Sequence, residues 1–101
     1  MEFEEPKKTG FSIYSKSGCQ NCLKIKNLLK EKQLEFNVID CDEYVIEDKV
    51  NFLLFINKLA QKDIKVFPMI FYKGEFIGGY NEAKDIVDKL VVSFDENDVS
   101  F

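Results

Sequence analysis

The chain has no histidine and no tryptophan, and only three of its 101 residues are cysteine. A tetrahedral zinc site needs four ligands, so a site built from cysteine and histidine alone cannot be completed within one chain. Three cysteines also cannot all pair with one another, and a chain that is 46% hydrophobic can build its core without disulfide staples. Structural zinc and structural disulfides are therefore poor explanations of these cysteines.

Positive charge and long apolar runs are also scarce. The net charge is −4 and the lysines are scattered, so the chain lacks the basic stripe that is typical of nucleic-acid binding. No apolar run approaches the length of a membrane span, and the charged segment before Phe11, which contains Pro6, does not resemble a signal peptide. We therefore expect a soluble, cytoplasmic protein with neither a nucleic-acid partner nor a membrane partner.

The pattern of apolar residues predicts a single α/β domain with the element order βαβαββα. The first strand, helix and second strand form a parallel βαβ unit with a right-handed crossover. The predicted bounds are Phe11–Ser15, Gln20–Lys32, Leu34–Asp40, Glu43–Gln61, Val66–Tyr72, Glu75–Ile77 and a last helix from an Asn81 cap to about Val92. Lys73-Gly74 forms the hairpin turn. We expect residues 1–10 to be a flexible lead-in, residues 11–92 to be the domain, and residues 93–101 to be an acidic tail.

Two cysteines three positions apart, in Cys19-Gln20-Asn21-Cys22, lie between the predicted first strand and first helix. Such a pair can form a reversible disulfide. The first turn of a helix has unsatisfied N–H groups and a partial positive charge, which favour a thiolate at its first residue. Cys19 is therefore the predicted nucleophile and Cys22 its resolving partner. The alternative explanations of the Cys19/Cys22 pair are two inert thiols or half of a zinc site. The third cysteine, Cys41, is predicted to be a half-buried structural residue.

Three motifs together resemble a dithiol glutaredoxin. They are Lys16-Ser17-Gly18-Cys19-Gln20-Asn21-Cys22, Val66-Phe67-Pro68 and Gly78-Gly79-Tyr80-Asn81-Glu82. The resemblance covers residues 11 to about 91 and implies a thioredoxin-like fold, with a four-stranded mixed sheet flanked by three helices. It also implies a monomer that needs no metal and uses glutathione as its reducing co-substrate. Its other partners would be glutathionylated or disulfide-bonded proteins.

The resemblance implies catalytic roles for the two cysteines and binding roles near them. Cys19 attacks a glutathione mixed disulfide, and Cys22 closes an intramolecular disulfide when the substrate is a protein disulfide. Lys16 contacts the glycine carboxylate of glutathione and helps to hold the thiolate. Phe67, before a cis Pro68, offers its backbone N–H and C=O to the cysteinyl part of the ligand. Candidates for a second contact with the glycine carboxylate are Asn57 and Lys58.

The third motif implies a site for the γ-glutamyl end of glutathione. Gly79 lets the backbone approach the ligand closely. The amides of Tyr80 and Asn81, at a helix N-terminus, bind the γ-glutamyl carboxylate. Glu82 matches an acidic residue that pairs with the γ-glutamyl ammonium, although the helix dipole explains an acid there equally well.

The chain departs from the family pattern at four positions. Gln20 replaces a common proline, Asn21 an aromatic residue, Val66 a threonine, and Asn81 a serine or threonine. Two other functions stay open at this stage. One is a thioredoxin-type protein disulfide reductase, although the chain has no tryptophan for a Trp-Cys-Gly-Pro-Cys site. The other is a non-catalytic module that binds glutathione, docks a partner, or carries an iron–sulfur cluster, which Gln20 disfavours because cluster-holding members generally have a small residue there.

Overall fold

The computed structural model describes residues 2–99, and within this range four strands form one mixed sheet. The strands are β1 (Phe11–Ser15), β2 (Phe36–Asp40), β3 (Met69–Tyr72) and β4 (Glu75–Gly78), in the spatial order β2-β1-β3-β4. β1 pairs in parallel with β2 and antiparallel with β3, and β3 pairs antiparallel with β4. The predicted element order, the parallel βαβ unit and the hairpin are confirmed.

Three helices cover the two faces of this sheet. They are α1 (Gln20–Glu31), α2 (Asp42–Ala60) and α3 (Tyr80–Val99). Because side chains alternate along a strand, Phe11 and Ile13 of β1 face α1 and α3, whereas Tyr14 faces α2. The first core contains Phe11, Ile13, Ile25, Leu29, Ile70, Ala83 and Val87, and the second contains Tyr14, Ile39, Cys41, Phe52, Ile56, Met69 and Phe71. Each fully buried aliphatic or aromatic side chain contributes about 1.5–3 kcal/mol.

The second helix, α2, is neither uniformly regular nor uniformly buried. α2 is kinked at Asp48, whose φ of −154° and ψ of 60° are not helical. Its Phe52 and Ile56 are buried, whereas Ile46 and Val50 are exposed to solvent. None of the helices within residues 2–99 combines the length and the apolar character that crossing a membrane requires.

The last helix differs from its prediction at both ends. It begins at Tyr80, so Asn81 lies in its first turn and is not the cap. It also continues to Val99 instead of ending near Val92, so most of the predicted acidic tail is helical. The physical reason is that residues 93–99 contain neither glycine nor proline, the residues that most often end a helix. The last two residues of the predicted tail, and Met1 of the lead-in, lie outside the described residues.

The predicted flexible lead-in is attached to the domain. The ring of Phe3 lies 5.0 Å from that of Tyr44 and 5.6 Å from that of Phe52, measured between centroids. The hydroxyl of Tyr14 donates to the carbonyl of Glu4 at 2.6 Å, and the N–H of Glu4 donates to the hydroxyl of Tyr44 at 3.1 Å. Residues 3–4 therefore pack against the domain through both apolar and polar groups, and the flexibility of the lead-in stays a prediction.

Candidate active site

Cys19 and Cys22 form a disulfide at the beginning of α1, with their Cα atoms 5.2 Å apart. Cys19 is the N-cap residue of the helix, and its Sγ atom accepts the N–H of Cys22 at 3.1 Å. Cys22 is completely buried against the sheet, whereas Cys19 is partly exposed. The helix start therefore presents the outer sulfur to solvent, holds the inner one beneath it, and directs backbone N–H groups at the outer one.

The loop before Cys19 is fastened to the start of α2. The carboxylate of Asp42 accepts the backbone N–H of Ser17 at 2.8 Å and also its hydroxyl. These hydrogen bonds, assisted by the charge of Lys16, hold the pKa of Asp42 below its ordinary value of 3.8. Asp42 is thus a supporting residue that the sequence did not reveal, since it lies 25 positions from Ser17.

The chain segment before β3 faces the cysteine loop. The peptide bond between Phe67 and Pro68 is cis, as the resemblance implied, and Pro68 is buried. The ring of Phe67 stacks on that of Phe52 with an interplanar angle of 2°. The Nζ atom of Lys16 lies 5.6 Å from the centroid of the Phe67 ring. This cation–π contact brings Lys16 and Phe67 to the same site as Cys19.

The start of α3 is built around two glycines and one carboxylate. Gly78 has a φ of +129°, and Gly79 occupies the position before the first helical residue. The Oε1 atom of Glu82 accepts the N–H of Gly79 at 2.8 Å, which is one half of a capping box. Glu82 therefore caps its own helix, a role that the sequence interpretation attributed to Asn81.

Two adjoining hollows form what we call the Phe67 groove. The first, of about 400 Å³, is lined by Lys16, Cys19, Gln20, Asn21, Lys65, Val66 and Phe67. The second, of about 270 Å³, is lined by Asn21, Ile64, Val66, Phe67, Pro68, Phe76, Gly78, Gly79, Tyr80, Asn81 and Glu82. Because Asn21, Val66 and Phe67 line both, the groove is continuous from Lys16 to the start of α3. Of the nine residues predicted for the site, all but the buried Cys22 line it.

Neither of the two candidates from the second helix, Asn57 and Lys58, lines the Phe67 groove. The side-chain carbonyl of Asn57 accepts the N–H of Ile64 at 2.8 Å, so this amide supports the loop after α2. The cation that lines the groove beside Lys16 is instead Lys65. Its position immediately before the Val66-Phe67-Pro68 motif is the sequence signal that could have indicated this role.

Cys41 is separate from this redox pair. It is fully buried, where the sequence predicted half-burial, and its thiol donates to the carbonyl of Ile39 at 3.3 Å. Burial raises the pKa of the Cys41 thiol to about 12. The prediction of a structural residue therefore agrees with its surroundings. Among the side chains that the structure describes, those of residues 2–91, no group of three or more histidine, cysteine, aspartate or glutamate residues could hold a metal ion.

Comparison with known proteins places the chain among the glutaredoxins. The Glutaredoxin family model matches residues 11–77. Glutaredoxin 1 of Rickettsia bellii is 31% identical over 84 residues, which cover 78% of this chain and 83% of that protein. The crystal structure of glutaredoxin 1 from Francisella tularensis, in complex with cacodylate, is 29% identical with a TM-score of 0.69, covering 80% of this chain and 94% of that one. A buckwheat glutaredoxin–glutathione complex shares the fold, at 23% identity, a TM-score of 0.63, and coverage of 85% and 76%.

A thioredoxin-like fold with paired cysteines at the start of α1 defines a thiol–disulfide oxidoreductase. The chain belongs to the glutaredoxin family. Membership of this family and the Cys19–Cys22 pair make it a glutathione-dependent thiol oxidoreductase.

Proposed function

We propose that the protein reduces glutathione mixed disulfides and protein disulfides, with Cys19 as the nucleophile and Cys22 as the resolving thiol. The observation that carries this proposal is the continuous Phe67 groove, which runs from Lys16 past Cys19 to the start of α3. Glutathione has a carboxylate at each end and one ammonium group. The groove offers cations at one end, and helix N–H groups beside a carboxylate at the other.

The glycine end of glutathione would lie at the lysines. Lys16 and Lys65 line the first hollow together with Cys19, so a carboxylate there would meet two positive charges close to the reacting sulfur. The cysteinyl part would pair with the backbone of Phe67 as an added strand does, which requires no particular side chain. Pro68 supports this segment from its buried position.

The γ-glutamyl end would lie at the start of α3. Tyr80 and Asn81 are the first two residues of the helix, and N–H groups at these positions have no partner within a helix. Glu82 uses Oε1 to accept the N–H of Gly79, which leaves its second oxygen for the γ-glutamyl ammonium. The two explanations of Glu82 are therefore compatible, because one carboxylate can serve both contacts.

In the reduced protein, the Cys19 thiolate would attack the glutathione sulfur of a mixed disulfide. The substrate leaves as a thiolate with the electron pair of the broken S–S bond, and Cys19 becomes glutathionylated. A second glutathione thiolate then attacks that glutathione sulfur and releases Cys19 and glutathione disulfide. With a protein disulfide, Cys22 attacks the mixed disulfide at Cys19, and two glutathione molecules reduce the resulting Cys19–Cys22 bond.

The proposed partners follow from this chemistry. They are glutathione and proteins that carry a glutathionylated cysteine or a disulfide, and the protein would act as a monomer without a metal. The buckwheat relative was crystallised as a glutaredoxin–glutathione complex, which supports glutathione as the co-substrate. We also propose a cytoplasmic location, because the reaction draws on a pool of reduced glutathione.

The test is steady-state reduction of a small glutathione mixed disulfide and, separately, of a protein disulfide, with glutathione and glutathione reductase as the recycling system. Cys19→Ser should abolish both activities. Cys22→Ser should keep reduction of the mixed disulfide and lose most reduction of the protein disulfide. Turnover by Cys19→Ser, or an equal loss of both activities in Cys22→Ser, would contradict the assigned roles.

A further inference from the structure

A second concave surface adjoins Cys19 outside the Phe67 groove, and we call it the Lys26 cleft. It has a volume of about 260 Å³, borders Lys16, Cys19 and Gln20, and extends along α1 to Leu23 and Lys26. Lys26 reaches the β2 side of β1, where it also lines a hollow with Val38 of β2. The Phe67 groove lies on the opposite side, before β3. The two surfaces share Lys16, Cys19 and Gln20, and the function proposed above does not use Leu23 or Lys26 of the cleft.

The Lys26 cleft is positively charged although the whole chain has a net charge of −4. Two lysines and no acidic residue line it. Two carboxylates lie outside the cleft and keep their charge: Asp40 lines the adjoining hollow with Lys16 and Lys26, and Asp42 accepts the N–H of Ser17. The Nζ atom of Lys26 donates to the neutral hydroxyl of Ser15 at 3.3 Å. Among residues 2–91, whose side chains the structure describes, no carboxylate lies within ion-pairing distance of Lys16 or Lys26.

The cleft also has an apolar surface that no part of the described chain covers. The side chain of Leu23 is 54% exposed on α1, directly after the buried Cys22. An exposed leucine by itself is ordinary. Here it lies in the same cleft as an unpaired lysine and the partly exposed sulfur of Cys19. Together, the three groups offer an apolar contact, a positive charge and a site for a disulfide bond.

We propose that the Lys26 cleft binds the polypeptide of a disulfide substrate and favours segments with an acidic and an apolar residue beside the reacting cysteine. This inference rests on the proposed function. When the Cys19 thiolate attacks a protein disulfide, one substrate sulfur bonds to Cys19 and the other leaves as a thiolate with the electron pair. Cys19, Leu23 and Lys26 line the same cleft, so residues next to the bonded substrate cysteine would lie against Leu23 and Lys26. Attack by Cys22 then releases the segment as a thiolate.

The preference should be modest, because the charges involved are exposed. A solvent-exposed ion pair changes binding by about two- to fivefold, and salt screens it. The expected effect is therefore a higher kcat/KM for acidic substrates at low ionic strength, with little difference in high salt. Glutathione would bind in the Phe67 groove, which shares Lys16, Cys19 and Gln20 with the cleft but contains neither Leu23 nor Lys26, so a small mixed disulfide serves as the reference for these two residues.

The experiment uses two synthetic peptides with the same intramolecular disulfide and the same leucine, one with aspartates and one with lysines beside the cysteines. Each kcat/KM is divided by the same enzyme's value for a small glutathione mixed disulfide. The wild-type protein should favour the acidic peptide by about two- to fivefold at low salt. Lys26→Glu should abolish or reverse this ratio, and Lys26→Gln should give a ratio between the two. Lys49→Glu, the same charge change on the exposed surface of α2, should keep the wild-type ratio.

Leu23→Ser tests the apolar part of the cleft. It should lower the normalised kcat/KM for both peptides to a similar extent and leave their ratio unchanged. Equal values for the two peptides with the wild-type protein, or a preference that survives Lys26→Glu, would overturn the inference. Failure of the wild-type protein to reduce the small mixed disulfide would instead overturn the proposed function, so the two failures are distinguishable.

Discussion

The carboxylate of Asp42 accepts both the backbone N–H and the hydroxyl of Ser17, and this pair joins the loop before Cys19 to the first turn of α2. The loop contains Lys16 and Gly18, so the same contact positions the lysine that lies over the ring of Phe67. The position of a cysteine at the start of a helix depends on how the preceding loop orients that helix. Asp42 therefore supports the redox site without lining the Phe67 groove.

The first prediction concerns the pH dependence of this contact. The pKa of Asp42 is lower in the folded protein than its ordinary value of 3.8, first because of the hydrogen bonds from Ser17 and also because of Lys16. Its contribution to stability is therefore complete above pH 3.8 and is lost as the pH falls through the folded-state pKa. Asp42→Asn should be less stable than wild type in urea at neutral pH, and the gap should shrink in acid.

The matched control is Glu47→Gln, the same chemical change at an exposed position on α2. It should have a stability close to that of wild type at every pH. The contrary outcome is a difference in the free energy of unfolding between wild type and Asp42→Asn that stays constant through the acid range in which both remain folded. It would show that the Asp42 charge does not provide the stabilisation.

Most of the fold could be predicted because local patterns and packing agree in the first half of the chain. Cys22, Ile25 and Leu29 recur at helical spacing, and the structure buries all three. The start of α3 was harder to predict, because its capping contact is made by Glu82, which accepts the backbone N–H of Gly79 three residues earlier. A search for a serine, threonine or asparagine cap selects Asn81 instead. The docking of Phe3 has no local signal at all, since its partners are on α2.

The candidate site was predictable to the extent that it depends on motifs. Three short motifs were enough to propose nine residues, and the fold brings eight of them into one groove above the buried Cys22. The supporting contact between Ser17 and Asp42 could not be predicted, because it joins residues 25 positions apart and is created by the βαβ crossover. Lys65 was missed because its role depends on where the loop after α2 places it.

The second prediction concerns Cys41. Thiolates react with alkylating reagents, and the pKa of the Cys41 thiol is raised to about 12 by burial. In the reduced native protein at mildly alkaline pH, iodoacetamide should therefore modify Cys19 quickly and leave Cys41 unmodified. All three cysteines should react in urea. Peptide mass mapping gives the modified positions, and Cys41→Ala should keep the fast reaction. Rapid native modification of Cys41 would contradict its structural assignment.

The third prediction concerns the attachment of the lead-in. Phe3→Ala removes ring contacts with Tyr44 and Phe52 from a half-buried position. The free energy of unfolding should fall by about 1–3 kcal/mol, which is below the range for a fully buried phenylalanine. Leu54→Ala, at a side chain that is 60% exposed, should cost less than about 0.5 kcal/mol. If the two losses measured by urea denaturation are equal, Phe3 does not anchor the segment.

The fourth prediction concerns the turn that begins α3. Gly78 has a φ of +129°, and a Cβ atom there would lie 2.7 Å from the Oε1 and Cγ atoms of Glu82. Gly78→Ala should therefore cost about 1–3 kcal/mol of stability through backbone strain, and it should displace the carboxylate from the N–H of Gly79. Gly74 has a φ of +84°, but a Cβ atom there would meet its nearest neighbours only at 3.8 Å. Gly74→Ala should therefore cost less stability, about 1 kcal/mol.

Substitutions of Glu82 separate the two roles proposed for it. Glu82→Gln keeps a side-chain oxygen for the N–H of Gly79 but removes the charge that would pair with the γ-glutamyl ammonium. Its stability should remain near wild type, while KM for a glutathione mixed disulfide rises about two- to fivefold. Glu82→Ala loses both contacts, so it should also be less stable by about 1 kcal/mol. An unchanged KM in Glu82→Gln would limit this carboxylate to capping, because only the ligand contact depends on its charge.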